Sequence, residues 1–421
     1  MRWQARNRGK QNGAVAVIVG VTLAVLVGFA GLVLDLGRLY INKTELQNAA
    51  DACALAAAGE LTCDPSVGAC PASKLQNAEN AGIFAASKNT SDFQRASVSI
   101  APSDVRFSTM LAPNSGYLPA GSASTNSKYA MCIARSTGII PWFMRVLGLG
   151  NANFVNATAV ATLGPSQEFC SSAPMGICSK GAAPYFGYST GEWIQSQFTS
   201  AGSDDSLAGN FRWVDFTIQA GGNSEIRDQL AGGKVCNLRV GQNIEQHGTQ
   251  QGAKSAYNTR FGMYPSGANA YTPATAPPDR TGYAYPNKAP GSPIIPINTS
   301  AFADYQYRQG LNTPFIDNEY GISGPGGNIP GSPISPAEHA SGSDRRLVAV
   351  PVIDCSAGQT TPILGMACVL MLNPMSNGAS GTIYLEYREP ANTTTAPTAC
   401  RSTGLPGNSS STGPMVPMLV Q

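Results

Sequence analysis

Charge is scarce in this chain. Asp, Glu, Lys and Arg make up 12% of its 421 residues, and the formal net charge is +2. A surface basic enough to neutralise a phosphate backbone is therefore not available, and no nucleic-acid partner is expected. Histidine is scarcer still, with only His247 and His339. No Cys-x-x-Cys occurs, so zinc-site spacing is missing and no metal is expected. No Walker loop, zinc-protease helix or dinucleotide fingerprint is present, and no repeat recurs at a fixed period. These absences leave a Gly-, Pro-, Ser-, Thr- and Asn-rich chain, expected to be non-enzymatic and to need no cofactor.

The chain does have one long hydrophobic run. Arg2, Arg6, Arg8 and Lys10 precede an apolar stretch from Ala14 to Leu34, broken by Thr22. A helix through its 21 residues would be about 31 Å long, against a hydrocarbon core of roughly 30 Å. The flanking cations predict a cytoplasmic leader (1–13), a transmembrane helix (14–34) and an exported bulk, hence a single-pass inner-membrane protein. A cleaved signal peptide is the rival reading, but Gly28-Phe29-Ala30 matches its cleavage site poorly and apolar residues continue beyond it. Trimming near Gly13 is a third possibility. Ala16, Gly20, Ala24 and Gly28 recur every four residues and form one helix face, which can seat a second helix in lipid or simply reflect common membrane-helix composition.

No helix stop follows the run. Leu39, Leu46 and Cys53 recur every seven residues, and Gly59 and Pro65 are the first terminators. The spacing predicts one long helix, half in lipid and half packed on an external domain. Asp35, at the outer end of the run, reads as an interfacial marker with Arg38 three residues on, or else as a contact to a partner helix.

Gly13-Ala14-Val15-Ala16-Val17, Leu34-Asp35-Leu36-Gly37-Arg38-Leu39-Tyr40 and Leu46-Gln47-Asn48-Ala49-Ala50-Asp51-Ala52 through Ala54-Leu55-Ala56 resemble the TadE/TadG-like proteins of tight-adherence (Flp) pilus assembly. Weaker similarity continues at 258–264, 344–346 and 351–355. The resemblance implies a membrane-anchored, pilin-like component whose partners are other pilus-assembly or pilin-like proteins. Two departures matter. Processed members carry Glu five residues after the cleavage Gly, where this chain has Ile18, which puts processing at Gly13 in doubt. Larger members carry a metal-binding Asp-x-Ser-x-Ser, for which Asp354-Cys355-Ser356-Ala357-Gly358 is an incomplete match.

All ten cysteines (Cys53, Cys63, Cys70, Cys132, Cys170, Cys178, Cys236, Cys355, Cys368 and Cys400) follow the apolar run, as disulfides of an exported protein would. The close pairs Cys63/Cys70 and Cys170/Cys178 can each close a short loop. Cys53 to Cys132 can tie the helix to a strand, and the other four would remain for the distal part.

The expected fold is α+β. A helix over 74–88 and strands at 98–100, 105–107, 128–133 and 155–163, with a short apolar helix at 141–148, complete a pilin-like head (35–164). Gly164-Pro165-Ser166 is the candidate boundary. A β-rich region (165–390) then follows, with strands at 213–218, 347–353, 367–372 and 382–387 and an irregular surface between Pro265 and Gly342. The tail (391–421) reads as flexible.

Two other functions have residues to offer. Tyr257, Tyr264, Tyr271, Tyr283 and Tyr285 can form the aromatic platform of an adhesin that binds a glycan or another surface ligand. Gly187-Tyr188-Ser189-Thr190-Gly191 matches a nucleophile elbow, with Pro184–Phe186 as strand and Glu192–Phe198 as helix. Asp215 and then His247 or His339 follow in hydrolase order. The two histidines otherwise read as ordinary surface or loop residues. Asp344-Arg345-Arg346 reads as a local ion pair, and Arg260 as the donor of a turn that bonds backbone carbonyls.

Overall fold

The computed structural model describes residues 12–62, 71, 73–111, 116–139, 141–144, 153–171, 173–197, 210–218, 222–247, 251–267, 270–286, 295–315, 329–376, 382–408 and 410–420. The chain forms two compact units. One comprises Met1–Leu61, Pro71–Thr162 and Leu419–Gln421, and the other Thr62–Cys70 and Leu163–Met418. The fold is α+β, with a long N-terminal helix and a β-rich, disulfide-bonded distal region.

In the first unit, helix α1 (Asn12–Gly59) is a single 48-residue element, about 72 Å long at 1.5 Å per residue. It is followed by α2 (Ser73–Ala86), β1 (Thr90–Ser91), β2 (Ala96–Ser97), β3 (Val105–Ser108), β4 (Leu118–Pro119), β5 (Tyr129–Ile139) and β6 (Asn153–Ser171), of which the residues up to Thr162 belong to this unit. Antiparallel pairing gives the order β6-β5-β3-β4. The two halves of α1 meet different surroundings. From Val15 to Leu34 its large apolar side chains are bare, Val17 at 67% and Phe29 at 63% exposure. From Leu46 onward one face is buried, through Leu46, Ala49, Ala50, Cys53, Ala54, Ala57 and Ala58. That face meets the inward residues of the sheet, Ala130, Cys132 and Ala134 on β5 and Ala157, Ala159 and Ala161 on β6, which alternate as strand geometry requires. Alanine on both sides lets backbone approach backbone, and Cys53 and Cys132 are bonded across the gap, with Cα atoms 6.0 Å apart.

The second unit holds β7 (Met175–Cys178), β8 (Trp193–Gln197), β9 (Phe211–Asp215), α3 (Gly222–Ala231), β10 (Val235–Leu238), β11 (Asn243–His247), α4 (Lys254–Thr259), β12 (Met263–Tyr264), α5 (Phe302–Gly310), β13 (Ser332–Pro333), α6 (Pro336–Ala340), β14 (Leu347–Ile353), β15 (Thr360–Pro362), β16 (Gly365–Met371), β17 (Thr382–Pro390), β18 (Leu405–Pro406) and, at its end, β19 (Met415–Leu419). Eight strands form one sheet in the order β15-β11-β9-β7-β14-β16-β17-β8. Its centre is covered on both faces. Val348, Val350 and Val352 face one apolar cluster and Leu347 another, which is why β14 reads as an unbroken apolar run.

Several expectations are corrected here. The 141–148 segment enters the described residues only as 141–144, a bend without an α-helix. Residues 98–100 are not a strand. β6 runs through Gly164-Pro165-Ser166 without interruption, while the division between the two units falls close to that expected boundary, between Thr162 and Leu163. Pro165 offers no donor, but its carbonyl accepts from Gly407 N–H at 2.9 Å, so the strand tolerates it. Cys170 and Cys178 do not pair with each other. Cys170 bonds Cys236 and Cys178 bonds Cys355, because their strands bring those residues side by side. Cys368 bonds Cys400, and Cys63 and Cys70 lie outside the described residues. The tail is ordered over 391–408 and 410–420. Ala391, Ala396, Cys400, Met415 and Val416 are buried, and β18 and β19 pair with β6. A few well-placed apolar residues and one disulfide outweigh its polar composition.

The Pro265–Gly342 stretch also contributes core. Its ordering centres on Asp279, which accepts from the N–H groups of Thr281, Arg345 and Arg346 at 3.0, 2.8 and 2.9 Å and from the Tyr305 hydroxyl at 2.9 Å. Burial pushes the Asp279 carboxyl up, while the nearby Arg346 guanidinium and these N–H donors pull it down. Arg346 is fully buried and donates to the carbonyls of Met371, Thr281, Tyr283 and Leu372 at 3.0, 3.1, 2.7 and 3.3 Å. Arg260 does the same for Leu230, Arg345 and Gln229 at 3.1, 2.7 and 3.1 Å. His339 is buried as well, contrary to its reading as a surface residue. Its Nδ1 donates to Asp279 O at 2.7 Å, and burial holds the imidazole below its usual range.

Two outcomes are expected. Non-reducing peptide mapping should recover peptides linking Cys170 to Cys236 and Cys178 to Cys355, and none joining Cys170 to Cys178. Arg346→Ala should cost the second unit about 3–5 kcal/mol in urea unfolding, because it removes the buried donor of the Met371, Thr281 and Tyr283 carbonyls and the cation that favours the buried Asp279 carboxylate.

Candidate functional site: the membrane end of helix α1

Asp35 sits on α1 directly after the apolar run and is 2% exposed. Its carboxylate accepts three consecutive backbone N–H groups, from Trp142 at 2.8 Å, Phe143 at 3.0 Å and Met144 at 2.8 Å. One short side chain thus fixes the path of the 141–144 segment. One helical turn earlier is Gly31, and a Cβ built there would lie 2.6 Å from Phe143 Cβ, so only glycine admits this close approach.

Arg38 does not take up Asp35 as its hydrogen-bonded partner. It donates to Asp92, from Nε at 3.1 Å and from Nη2 at 2.8 Å, and its guanidinium covers the Trp142 ring at 4.7 Å. Asn42, fully buried, completes the arrangement by accepting from Asp92 N–H at 3.1 Å. The residues Gly31, Asp35, Asn42 and Leu46 form one buried line along α1, continuous with the alanine face. Sequence reading found Asp35 and Arg38 but missed Asp92 and the 142–144 amides. Those partners are 50 or more residues away and carry no local signal.

The small-residue stripe borders a groove. Gly20, Leu23, Ala24, Val27, Gly28 and Leu32 line a space of about 430 Å³ along the helix, and Phe143 and Met144 line it as well. Ala16, Gly20 and Ala24 are exposed, and nothing approaches within 4 Å of a Cβ placed on Gly20 or Gly28.

Residues 13–60 match the family model described as "Tad: Putative Flp pilus-assembly TadE/G-like". No curated protein and no solved structure matches the chain. The matched stretch coincides with α1 to within one residue at either end, so the similarity covers the lipid-length run and the alanine face together.

The other candidate chemistry is arranged differently from the sequence expectation. Ser189 lies in a turn whose N–H donates to Glu192 Oε2 at 3.0 Å, and the turn is tied to the sheet by Gly191 N–H to Tyr387 O at 2.8 Å. The strand β8 follows it, where a nucleophile elbow needs a helix. Tyr257, Tyr285, Tyr283 and Tyr264 are 0%, 0%, 2% and 9% exposed, and Tyr271 packs against the core. Tyr257 sits edge-on to Trp213 at 6.1 Å and stacks on Phe261 at 5.8 Å. These rings are core, not a platform. Asp354 accepts from Ser356 N–H at 2.9 Å in a local turn, and Cys355 is taken by its disulfide.

Asp215 and Glu245 are cross-strand neighbours on β9 and β11. With His247 they place ligand atoms within 4.8 Å of one another, a donor set that could hold a divalent ion. Burial, with Asp215 alongside, raises the Glu225 carboxyl on α3.

Asp35→Leu should abolish hydrogen-exchange protection at the amides of 142–144 while leaving α2 protected. Asp35→Asn, which keeps one acceptor oxygen, should retain part of that protection. Exchange mass spectrometry on the detergent-extracted protein reads both.

Proposed function

We propose that this chain is a non-enzymatic component of a tight-adherence pilus assembly or secretion apparatus, acting as a minor-pilin-like or scaffold protein. The observation that carries the reading is the Tad match on a helix whose first half is apolar and bare. An apolar cylinder of that length is stable in lipid and costly in water. In this reading residues 1–13 stay in the cytoplasm, 14–34 cross the inner membrane, and the remainder is displayed outside, where disulfides persist. The head, residues 35–164, and the region from 165 onward form the displayed part.

The small-residue stripe would seat a helix of another pilin-like or assembly protein. In lipid no hydrophobic force draws helices together, so close packing at Gly20, Ala24 and Gly28 supplies the association. Ile18, where processed relatives carry Glu, supports retention in the membrane over entry into a filament core.

Alkaline carbonate should leave the native protein in the membrane fraction, with its bulk open to protease from the outer side only and its cysteines closed to alkylation. A freely soluble, fully reduced protein would refute the anchor. Gly20→Leu with Gly28→Leu should keep the protein in the membrane but lose its in-cell crosslinks to assembly partners. Unchanged crosslinks would remove the stripe from the proposal.

A further inference from the structure

We propose that residues 141–144 enter the bilayer beside the anchor helix, with Trp142 and Phe143 seated among lipids at the Asp35 end of the span. The proposal rests on the anchor reading and adds a second, non-helical lipid contact to it.

Depth is the first argument. Phe143 packs on Gly31, which lies four residues inside Asp35, or about 6 Å along the helix axis. Gly31 belongs to the apolar run that ends at Leu34. Any bilayer that covers the run therefore reaches the level of Phe143.

Exposure is the second. Trp142 is 53% and Phe143 42% exposed, and next to them on α1 Leu32, Val33 and Leu36 are exposed at 38%, 66% and 53%. This apolar surface is continuous with the bare cylinder below it. Tryptophan concentrates where an amphipathic ring can sit at the lipid–water boundary. The Arg38 guanidinium above the Trp142 ring, held by Asp92, places a cation on the watery side of that boundary.

Backbone chemistry is the third. Irregular backbone is tolerated at membrane depth only where its polar groups are satisfied by protein or cavity water. The N–H groups of Trp142, Phe143 and Met144 all end on Asp35. The carboxylate removes three donors that would otherwise bar the segment from lipid. Asp35 is thus a positioning residue for the loop as well as a depth marker for the helix.

The test uses tryptophan emission of the full-length protein in phosphatidylcholine vesicles whose acyl chains carry bromine near the glycerol end. The four tryptophans are Trp3, Trp142, Trp193 and Trp213. Trp193 and Trp213 are buried at 5% and 3% exposure and supply a constant background, and Trp3→Phe removes the leader's signal. In that background the brominated lipid should quench the emission. Adding Trp142→Phe should abolish most of the quenching, and adding Gly31→Leu, which evicts Phe143, should weaken it. Quenching that survives Trp142→Phe overturns the proposal. So does a Trp142 that answers to aqueous acrylamide and not to bromine, or to neither, the last meaning that protein covers the loop. Carbonate extraction of the same vesicles separates the two readings: a retained protein without Trp142 quenching sinks the loop alone, whereas an extracted protein sinks the anchor.

Discussion

One helix has to satisfy two solvents. α1 presents an apolar surface on every side up to Leu34 and a single alanine-lined face from Leu46 onward. The first half can be satisfied only by lipid or another apolar partner, and the second only by the sheet it packs on. The helix does not break between them. The Asp35 cluster lies where one environment gives way to the other. It joins the helix to a distant loop through three hydrogen bonds, and Arg38, Asp92 and Asn42 carry that join into the head.

The distal unit solves a different problem. Its chain is rich in Gly and Pro, so many backbone carbonyls lie outside helices and strands. A buried carbonyl still needs a donor. Arg260 and Arg346 supply those donors from inside the core, each reaching several segments, while Asp279 accepts N–H groups from others. Tyrosines fill the space around them, Tyr257 beside Phe261 and Tyr283 beside Tyr285. Long irregular stretches are thereby held without regular ladders. The disulfides Cys178–Cys355 and Cys368–Cys400 act on the same central strands.

Much was legible along the chain where the signal is local. The apolar run, the alanine face and the strand at Leu347–Ile353 declare themselves by period or by length. Composition misled where a few residues decide. Thr, Ser, Pro and Gly in the tail hid Met415, Val416 and Cys400, which bury it. The tyrosines looked like a displayed cluster because composition does not say which way a ring points.

The amino-acid order by itself determined the helix, its lipid-length half and its similarity to the Tad family model, since each depends on neighbours within a few turns. The partners across long separations were decided by tertiary structure alone: Cys170 with Cys236, Asp35 with 142–144, Arg346 with four carbonyls. The physical reason is that side-chain hydrogen bonds and disulfides act over a few ångströms. Which residues come within that reach depends on how the sheet orders its strands, and no period in the sequence encodes that order.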